Sequence, residues 1–331
     1  MSDHAVIAGS GYIVGSNLEK ALRAGYFVAT GELGPPQNAD RNEIEHKAQF
    51  LKGIVESVNI TDNQTAVVRM SSIATGILIK RDLDMDPVVQ IVTRDRNRLA
   101  IQADVLGASA HGIVNVLCLS GDHQTLGNHP GSKNVHDIDS LQLLQGLTGL
   151  REGRFMNGDQ LETDPPHLFL GAAINPFGHP MEFRVQRLAK KVAAGAQFVQ
   201  SQPVYAMDIF KKYMADARNL GLHEKCHVLA GIIPMKSVMM AKYMKDKVAG
   251  VIVPDEKVAR LQKAMEGIED KKERSKRVQA EAVKMAVEEI HEVMDIPGVH
   301  GVHLMAVAWE EIIPELVKQA GLDKSRPKYK N

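Results

Sequence analysis

Short apolar runs recur along the chain, and the gap between each pair is long enough for one helix. Residues 27–32, 55–60, 88–93, 113–119, 167–173, 197–202, 227–233 and 299–307 are rich in Val, Ile, Leu and Ala and read as buried strands. The intervening segments 41–52, 67–80, 97–107, 139–148, 181–193, 206–219, 236–246 and 271–293 carry apolar residues at helical spacing. Eight such alternations predict a single (β/α)8 TIM barrel. A doubly wound sheet would also alternate, but it would place a glycine-rich loop after its first strand, where this chain has Glu32 and Pro35-Pro36. The predicted organisation is a short N-terminal helical extension over 1–25, with its helix at 16–24, then a barrel domain over 26–323 and a tail over 324–331.

In a barrel the chemistry sits where strands end. The stretch FVATGELGPP at 27–36 is a strand that stops at glycines and prolines and leaves Glu32 at its C-terminal end. A solvated glutamate in a surface turn is the competing reading of that stretch alone. Glu32, Thr61, Gln90, Asp122, Asn175, Gln202 and Trp309 all fall at or just beyond predicted strand ends, a set of hydrogen-bonding groups suited to a polar heteroaromatic ligand rather than a metal. Glu32 and Asp122 are the acids that directly follow an apolar run, and burial or a like-charged neighbour would make such a carboxyl a proton donor near neutral pH. The polar loop GDHQTLGNHPGSKNVHDI at 121–138 is long enough to be functional, and a second long loop spans 149–166.

Charge and cysteine content narrow the classes. Forty basic residues balance forty acidic ones, so no overall field favours nucleic acid or an anionic membrane. Cys118 and Cys226 are too few for a disulfide framework or an iron–sulfur cluster, which predicts reduced thiols in a cytoplasmic protein. No apolar stretch approaches the roughly 18 residues of a membrane span, and no secretion signal is expected. The glycines Gly9, Gly11 and Gly15 lack the spacing of a dinucleotide fingerprint. His123, His129 and His136 fit no zinc pattern, so no metal is expected in this chain. His167, His227, His300 and His303 flank or occupy strands and read as structural. The run DKKERSKR at 270–277 reads as a solvated helix face.

With Glu32 at the first strand end, Gly121-Asp122 at the fourth and Ser201-Gln202 at the sixth, the sequence resembles the methylenetetrahydrofolate reductase family. Ile60-Thr61-Asp62, KKVAAGAQF at 190–198 and GIIP at 231–234 add to the resemblance, which covers about residues 26–323. It implies a flavin-containing barrel that reduces methylenetetrahydrofolate to methyltetrahydrofolate by hydride transfer from reduced flavin, within one-carbon metabolism. By that resemblance Glu32 is the general acid for opening the folate ring, Asp122 lies near flavin and pterin, and Gln202 binds the pterin. Thr61, Gly121, Ala172 and Lys191 fall where the family contacts flavin, with Lys191 matched to the diphosphate.

The chain also departs from the family pattern. Gln90 stands for a histidine, Ser120 for an arginine and Ile174 for a tyrosine, so the flavin pocket is altered and FMN could replace FAD. Val238 replaces an aromatic residue that stacks on nicotinamide or folate. Trp309 either supplies the missing stacking surface against the substrate or packs under a C-terminal helix. The pattern looks closer to acetogen-type reductases, in which an iron–sulfur partner subunit can deliver electrons. It therefore leaves open whether NAD(P)H acts directly or through such a partner, and it permits a homo-oligomer. A flavin-free pterin-binding barrel that transfers one-carbon units, or a non-catalytic scaffold subunit of a redox complex, are the alternatives.

Overall fold

The computed structural model describes residues 14–324. Its centre is a closed barrel of eight parallel strands in sequence order, β1 Val28–Leu33, β2 Ser57–Ile60, β3 Pro87–Val92, β4 Asn115–Leu119, β5 Phe169–Ile174, β6 Phe198–Pro203, β7 His227–Ile232 and β8 Val299–Leu304, with β8 pairing back to β1. All eight predicted runs became strands. The fold is the expected TIM barrel.

Parallel strands in a barrel are buried on both faces, which is why the runs read as nearly continuous apolar segments. Outward positions such as Ala29, Val58, Val89, Val116, Val199 and Val302 join one apolar layer with the surrounding helices. Those helices are α1 Asn17–Arg23, α2 Arg41–Ala48, α3 Ser72–Leu83, α4 Arg98–Ala110, α5 Ser140–Arg151, α6 Arg184–Ala193, α7 Met207–Asn219, α8 Val238–Lys247, α9 Asp255–Lys263, α10 Lys271–Met294 and α11 Ile313–Gln319. The third helix begins at Ser72 rather than 67, because the Ser71 hydroxyl accepts from Ala74 N–H and caps it there.

One helix, α9, is not among the predicted segments. Residues 251–270 lie between two predicted helices, yet Val258 and Leu261 of α9 pack with Met244 of α8 and with Val278, Ala282 and Met285 of α10 in a second apolar cluster. Lys257 Nζ on α9 also meets buried Glu289 on α10 at 2.7 Å.

The predicted extension helix is a plug. Leu18, Ala21 and Leu22 of α1 fill the N-terminal end of the barrel against Val28, Val88, Leu117, Phe169, Phe198 and Leu229. Ser16 caps the helix through Glu19 N–H at 3.0 Å, and the buried Asp86 carboxylate accepts from Leu18 N–H at 3.3 Å. The Phe169 and Phe198 rings stack at 5.1 Å, and Gly171 is required beside them because a Cβ there would lie 2.2 Å from the Phe198 ring. With one end stoppered by apolar side chains, the opposite, C-terminal end is left for chemistry. Gly9 and Gly11 of the glycine cluster and the tail 325–331 lie outside the described residues.

His227, at the start of β7, is buried with its ring edge-on to His300 at 5.0 Å, and its Nδ1 has no hydrogen-bond partner among the described residues. Burial, then the neighbouring His300 and Arg23, hold its pKa well below the usual histidine value. The unfolded chain therefore binds a proton more readily than the folded one. Stability is full above the ordinary histidine pKa of about 6.5 and falls as pH drops below it. Thermal melting is expected to show this loss between pH 7.5 and 5.5, and His227→Leu is expected to flatten that part of the profile.

Candidate active site

Two layers of polar side chains occupy the upper half of the barrel. In the lower one, hydrogen bonds cross the interior: Asn59 Nδ2 of β2 donates to Gln200 Oε1 of β6 at 2.6 Å, and Gln200 Nε2 donates back to Asn59 Oδ1 at 3.1 Å. Gln200 Nε2 also reaches Thr30 Oγ1 of β1 at 3.4 Å, and Thr30 Oγ1 lies 2.9 Å from His303 Nδ1 of β8. All four are buried. Burying this much polar surface is tolerable because the groups satisfy one another.

Side chains alternate along a strand, so the residue two further on faces the same way. Glu32 stands one layer above Thr30, and Thr61 one layer above Asn59. Glu32 Oε2 lies 3.6 Å from His303 Nε2, with side-chain exposures of 13% and 4%. Thr61 Oγ1 is buried without a hydrogen-bond partner among the described residues. Gln90 lies within β3, buried, and its side-chain amide has no partner among the described residues. Gln202 sits in a register shift of β6 and is exposed at the strand end. Buried polar groups are normally bonded, so the orphaned Thr61 hydroxyl beneath the mouth is a group that a ligand could satisfy.

The loops around the mouth are fixed by an arginine. The side chain of Arg94, just beyond β3, is 3% exposed; Nη1 donates to the Asp122 carbonyl at 2.9 Å, Nη2 to the Asn63 carbonyl at 3.3 Å, and Nε and Nη2 engage the Asp95 carboxylate at 2.7 and 2.6 Å. Burial alone would raise the Asp95 carboxyl, but Arg94, helped by Asn63, brings it below the usual range. Gly121 has φ +84°, and a Cβ there would lie 3.1 Å from Val92 and 3.2 Å from the guanidinium, so glycine is needed where the chain turns over Arg94. The Asp122 carboxylate is exposed and accepts from Thr65 N–H at 3.1 Å, tying the loop after β4 to the loop after β2. Asp62 is structural, accepting from Val92 N–H at 3.0 Å and from Arg96 at 2.6 Å.

Four expected site residues are placed elsewhere. Ala172 faces outward into the helix layer, opposite Phe169 and Gly171 in the alternation, so only its backbone borders the interior. The Lys191 ammonium donates to the Ala173 carbonyl, and burial, then the Arg187 charge, lower its pKa to about 8. Asn175 turns away, accepting from Phe177 N–H at 2.9 Å while its amide occupies the space above Gly250. Trp309 is 8% exposed and packs in the outer layer with the apolar face of α11, so packing, rather than an open ring face, is its observed role. Val238 likewise packs against the α8–α9–α10 cluster. His123 bonds Thr125 within its own loop at 2.8 Å.

Arg94 and His303 are the important residues that strand-end reasoning missed. Thr93-Arg94-Asp95-Arg96, an alternation of charge directly after a buried strand, was the available signal for the first. His303 gave none, because a histidine inside an apolar run reads as structural.

A barrel plugged at one end and lined with an acid, amides and a buried free hydroxyl at the other has the architecture of a small-molecule enzyme of the TIM-barrel class. The methylenetetrahydrofolate reductase family model matches residues 17–321, and the chain belongs to that family. A probable NADPH-dependent methylenetetrahydrofolate reductase of Caenorhabditis elegans is 24% identical over 88% of this chain and 42% of its own length. Methylenetetrahydrofolate reductase 2 of Schizosaccharomyces pombe is 26% identical over 65% of this chain and 32% of its own. The chain thus spans less than half the length of these relatives. Among solved structures, a Clostridium thermocellum protein that binds two copies of 5-methyl-5,6,7,8-tetrahydrofolic acid superposes with a TM-score of 0.57 at 15% identity, covering 93% of this chain and 99% of that one. That likeness concerns the fold. Among the described residues no helix is long and apolar enough to cross a membrane.

Proposed function

We propose that the chain reduces methylenetetrahydrofolate to methyltetrahydrofolate in one-carbon metabolism. Membership of the family supports this reading, and the observation that carries it is Glu32, a largely buried acid set above a polar layer at the open end of the barrel. The buried, unpartnered Thr61 hydroxyl fits a flavin ring system with its carbonyl and N–H edges, and Gln90 lies one strand away as a further amide for it. A bound flavin, FAD or FMN, would supply the reducing equivalents.

The chain's own residues do the rest. Gln202, exposed at the mouth, can donate to and accept from the pterin edge. Glu32 gives its proton to the folate nitrogen that leaves when the five-membered ring opens, generating the electron-poor carbon that is reduced. Asp122, held by Thr65, contributes negative charge beside the site. The stoppered lower end keeps bulk water from entering behind the reacting groups.

The test is product identity: purified chain, supplied with flavin and a chemical reductant under anaerobic conditions, should convert methylenetetrahydrofolate to methyltetrahydrofolate. Conversion no faster than free reduced flavin gives would overturn the proposal. The electron source in the cell belongs to the same reading. With Val238 and Trp309 both packed away, no aromatic platform for nicotinamide is evident among these two positions, which supports input through an iron–sulfur partner over direct use of NAD(P)H.

A further inference from the structure

β6 and β7 fall out of step as they reach the mouth. Gln200 pairs with Leu229 and Pro203 with Gly231, so three steps along β6 match two along β7, and β6 carries one residue more than its neighbour. Such a bulge disrupts the ladder locally and takes a backbone donor away from its usual carbonyl. Here a side chain stands in for the carbonyl: Gly231 N–H donates to Ser201 Oγ at 2.9 Å, and the Ser201 hydroxyl in turn donates to the Gln202 carbonyl at 2.8 Å. Ser201 is 4% exposed, so water has little access to replace it. The strands close tightly around this hydroxyl. A Cβ on Gly231 would lie 2.4 Å from the Ser201 carbonyl oxygen and 3.0 Å from that of Gln202, which only glycine avoids. Beyond the bulge, Pro203 has no N–H to give, and the Gly231 carbonyl accepts from Val204 N–H at 2.9 Å instead.

We infer that Ser201 is a positioning residue for Gln202: its hydroxyl clasps the bulge and so fixes the backbone from which the Gln202 amide meets the pterin edge of the substrate. This rests on the role proposed for Gln202 above. In a regular strand the residue two beyond Gln200 would face across the barrel interior, as Gln200 does toward Asn59. The extra residue frees Gln202 from that alternation. It stands exposed at the mouth while Gln200 stays buried below. Re-aiming one side chain next to a site is a recurrent use of a bulge, and the residue count alone does not hold the new direction. The clasp does, because Ser201 Oγ–H bonds the carbonyl of Gln202 itself, so the peptide unit that follows the Gln202 Cα cannot rotate without breaking that bond. With its backbone held, the glutamine loses only side-chain freedom when it binds, and the cost of ordering it at the substrate is smaller.

Ser201→Ala removes the clasp at almost constant volume, and Ser201→Thr keeps the hydroxyl. Ser201→Ala is expected to raise KM for methylenetetrahydrofolate about tenfold with kcat changed less than about threefold, the pattern of lost substrate binding. Flavin affinity should stay within about twofold of wild type, since Gln202 is assigned to the folate and not to the flavin. Ser201→Thr should retain most of the folate affinity. A double-mutant cycle separates positioning from general support of the strand: if Ser201 acts through Gln202, then Ser201→Ala adds little to KM in a Gln202→Ala background. Additive losses in the double variant, an unchanged KM in Ser201→Ala, or a fall in flavin affinity as large as the rise in KM would overturn the inference. Amide hydrogen exchange of the nitrogen-labelled protein reads the clasp without turnover. Gly231 N–H should be protected in the wild type and in Gln202→Ala and should exchange at least about tenfold faster in Ser201→Ala; equal protection in all three sinks the assignment. If the wild-type chain makes no methyltetrahydrofolate, the proposed function fails on its own account, and the Gly231 exchange rates still decide whether the hydroxyl holds the bulge.

Discussion

Glu32→Gln is expected to lower methylenetetrahydrofolate turnover by at least about 100-fold, the usual range for loss of a general acid, while leaving bound flavin reducible at close to the wild-type rate. The side chains are nearly isosteric, so packing above Thr30 and beside His303 is retained. What is lost is the transferable proton, because an amide cannot replace a carboxylic acid as a donor to the leaving nitrogen. Separate measurement of the two half-reactions checks this: reduction of the flavin is followed first, and its reoxidation by folate second. Equal folate turnover in the variant would remove Glu32 from the role.

Arg94→Leu is expected to have the second largest effect, this time on the integrity of the mouth. The guanidinium is the common anchor of the loops that follow β2, β3 and β4, through Asn63, Asp95 and Gly121-Asp122. Removing one partner of a nearly buried pair leaves a carboxylate and two carbonyls without their donor, typically about 3–5 kcal/mol for a buried case; exposure of the Asp95 side chain reduces that to roughly 2–3 kcal/mol. Thermal melting should register the loss, and flavin affinity should fall by at least about tenfold because Gly121 and Asp122 are no longer held. Arg94→Lys should recover little, since one ammonium cannot span the Asp95 carboxylate and two separate carbonyls in the same plane. A variant that melts and binds flavin like the wild type would show that the loops hold their arrangement without the anchor.

The barrel was legible from sequence because each strand is apolar on both faces and each helix has a face toward it, two periodicities that survive without any knowledge of contacts. The strand-end placement of Glu32, Thr61 and Gln202 was legible for a related reason: each is polar and stands at the end of an apolar run. What sequence could not convey is which way a residue turns. Ala172 was assigned to the flavin by the family resemblance and Trp309 to the mouth by its position after a strand, but strand alternation sends the first outward, and the second is buried in the same apolar layer as α11. The α9 segment was missed because its apolar face meets α8 and α10 instead of the barrel, so no strand nearby announces it. The cross-barrel network of Thr30, Asn59, Gln200 and His303 joins residues up to 273 positions apart, and its members look unremarkable until the barrel closes.

The most direct test of the account is an anaerobic spectral titration. The chain is purified, loaded with flavin if it is isolated without it, reduced until the visible absorption bleaches, and then mixed with methylenetetrahydrofolate. The account predicts that the oxidised flavin spectrum returns as one equivalent of folate is added, with methyltetrahydrofolate formed in equal amount, and that Glu32→Gln bleaches but does not recover. A wild-type chain that binds no flavin, or whose reduced flavin is indifferent to the folate, would contradict it.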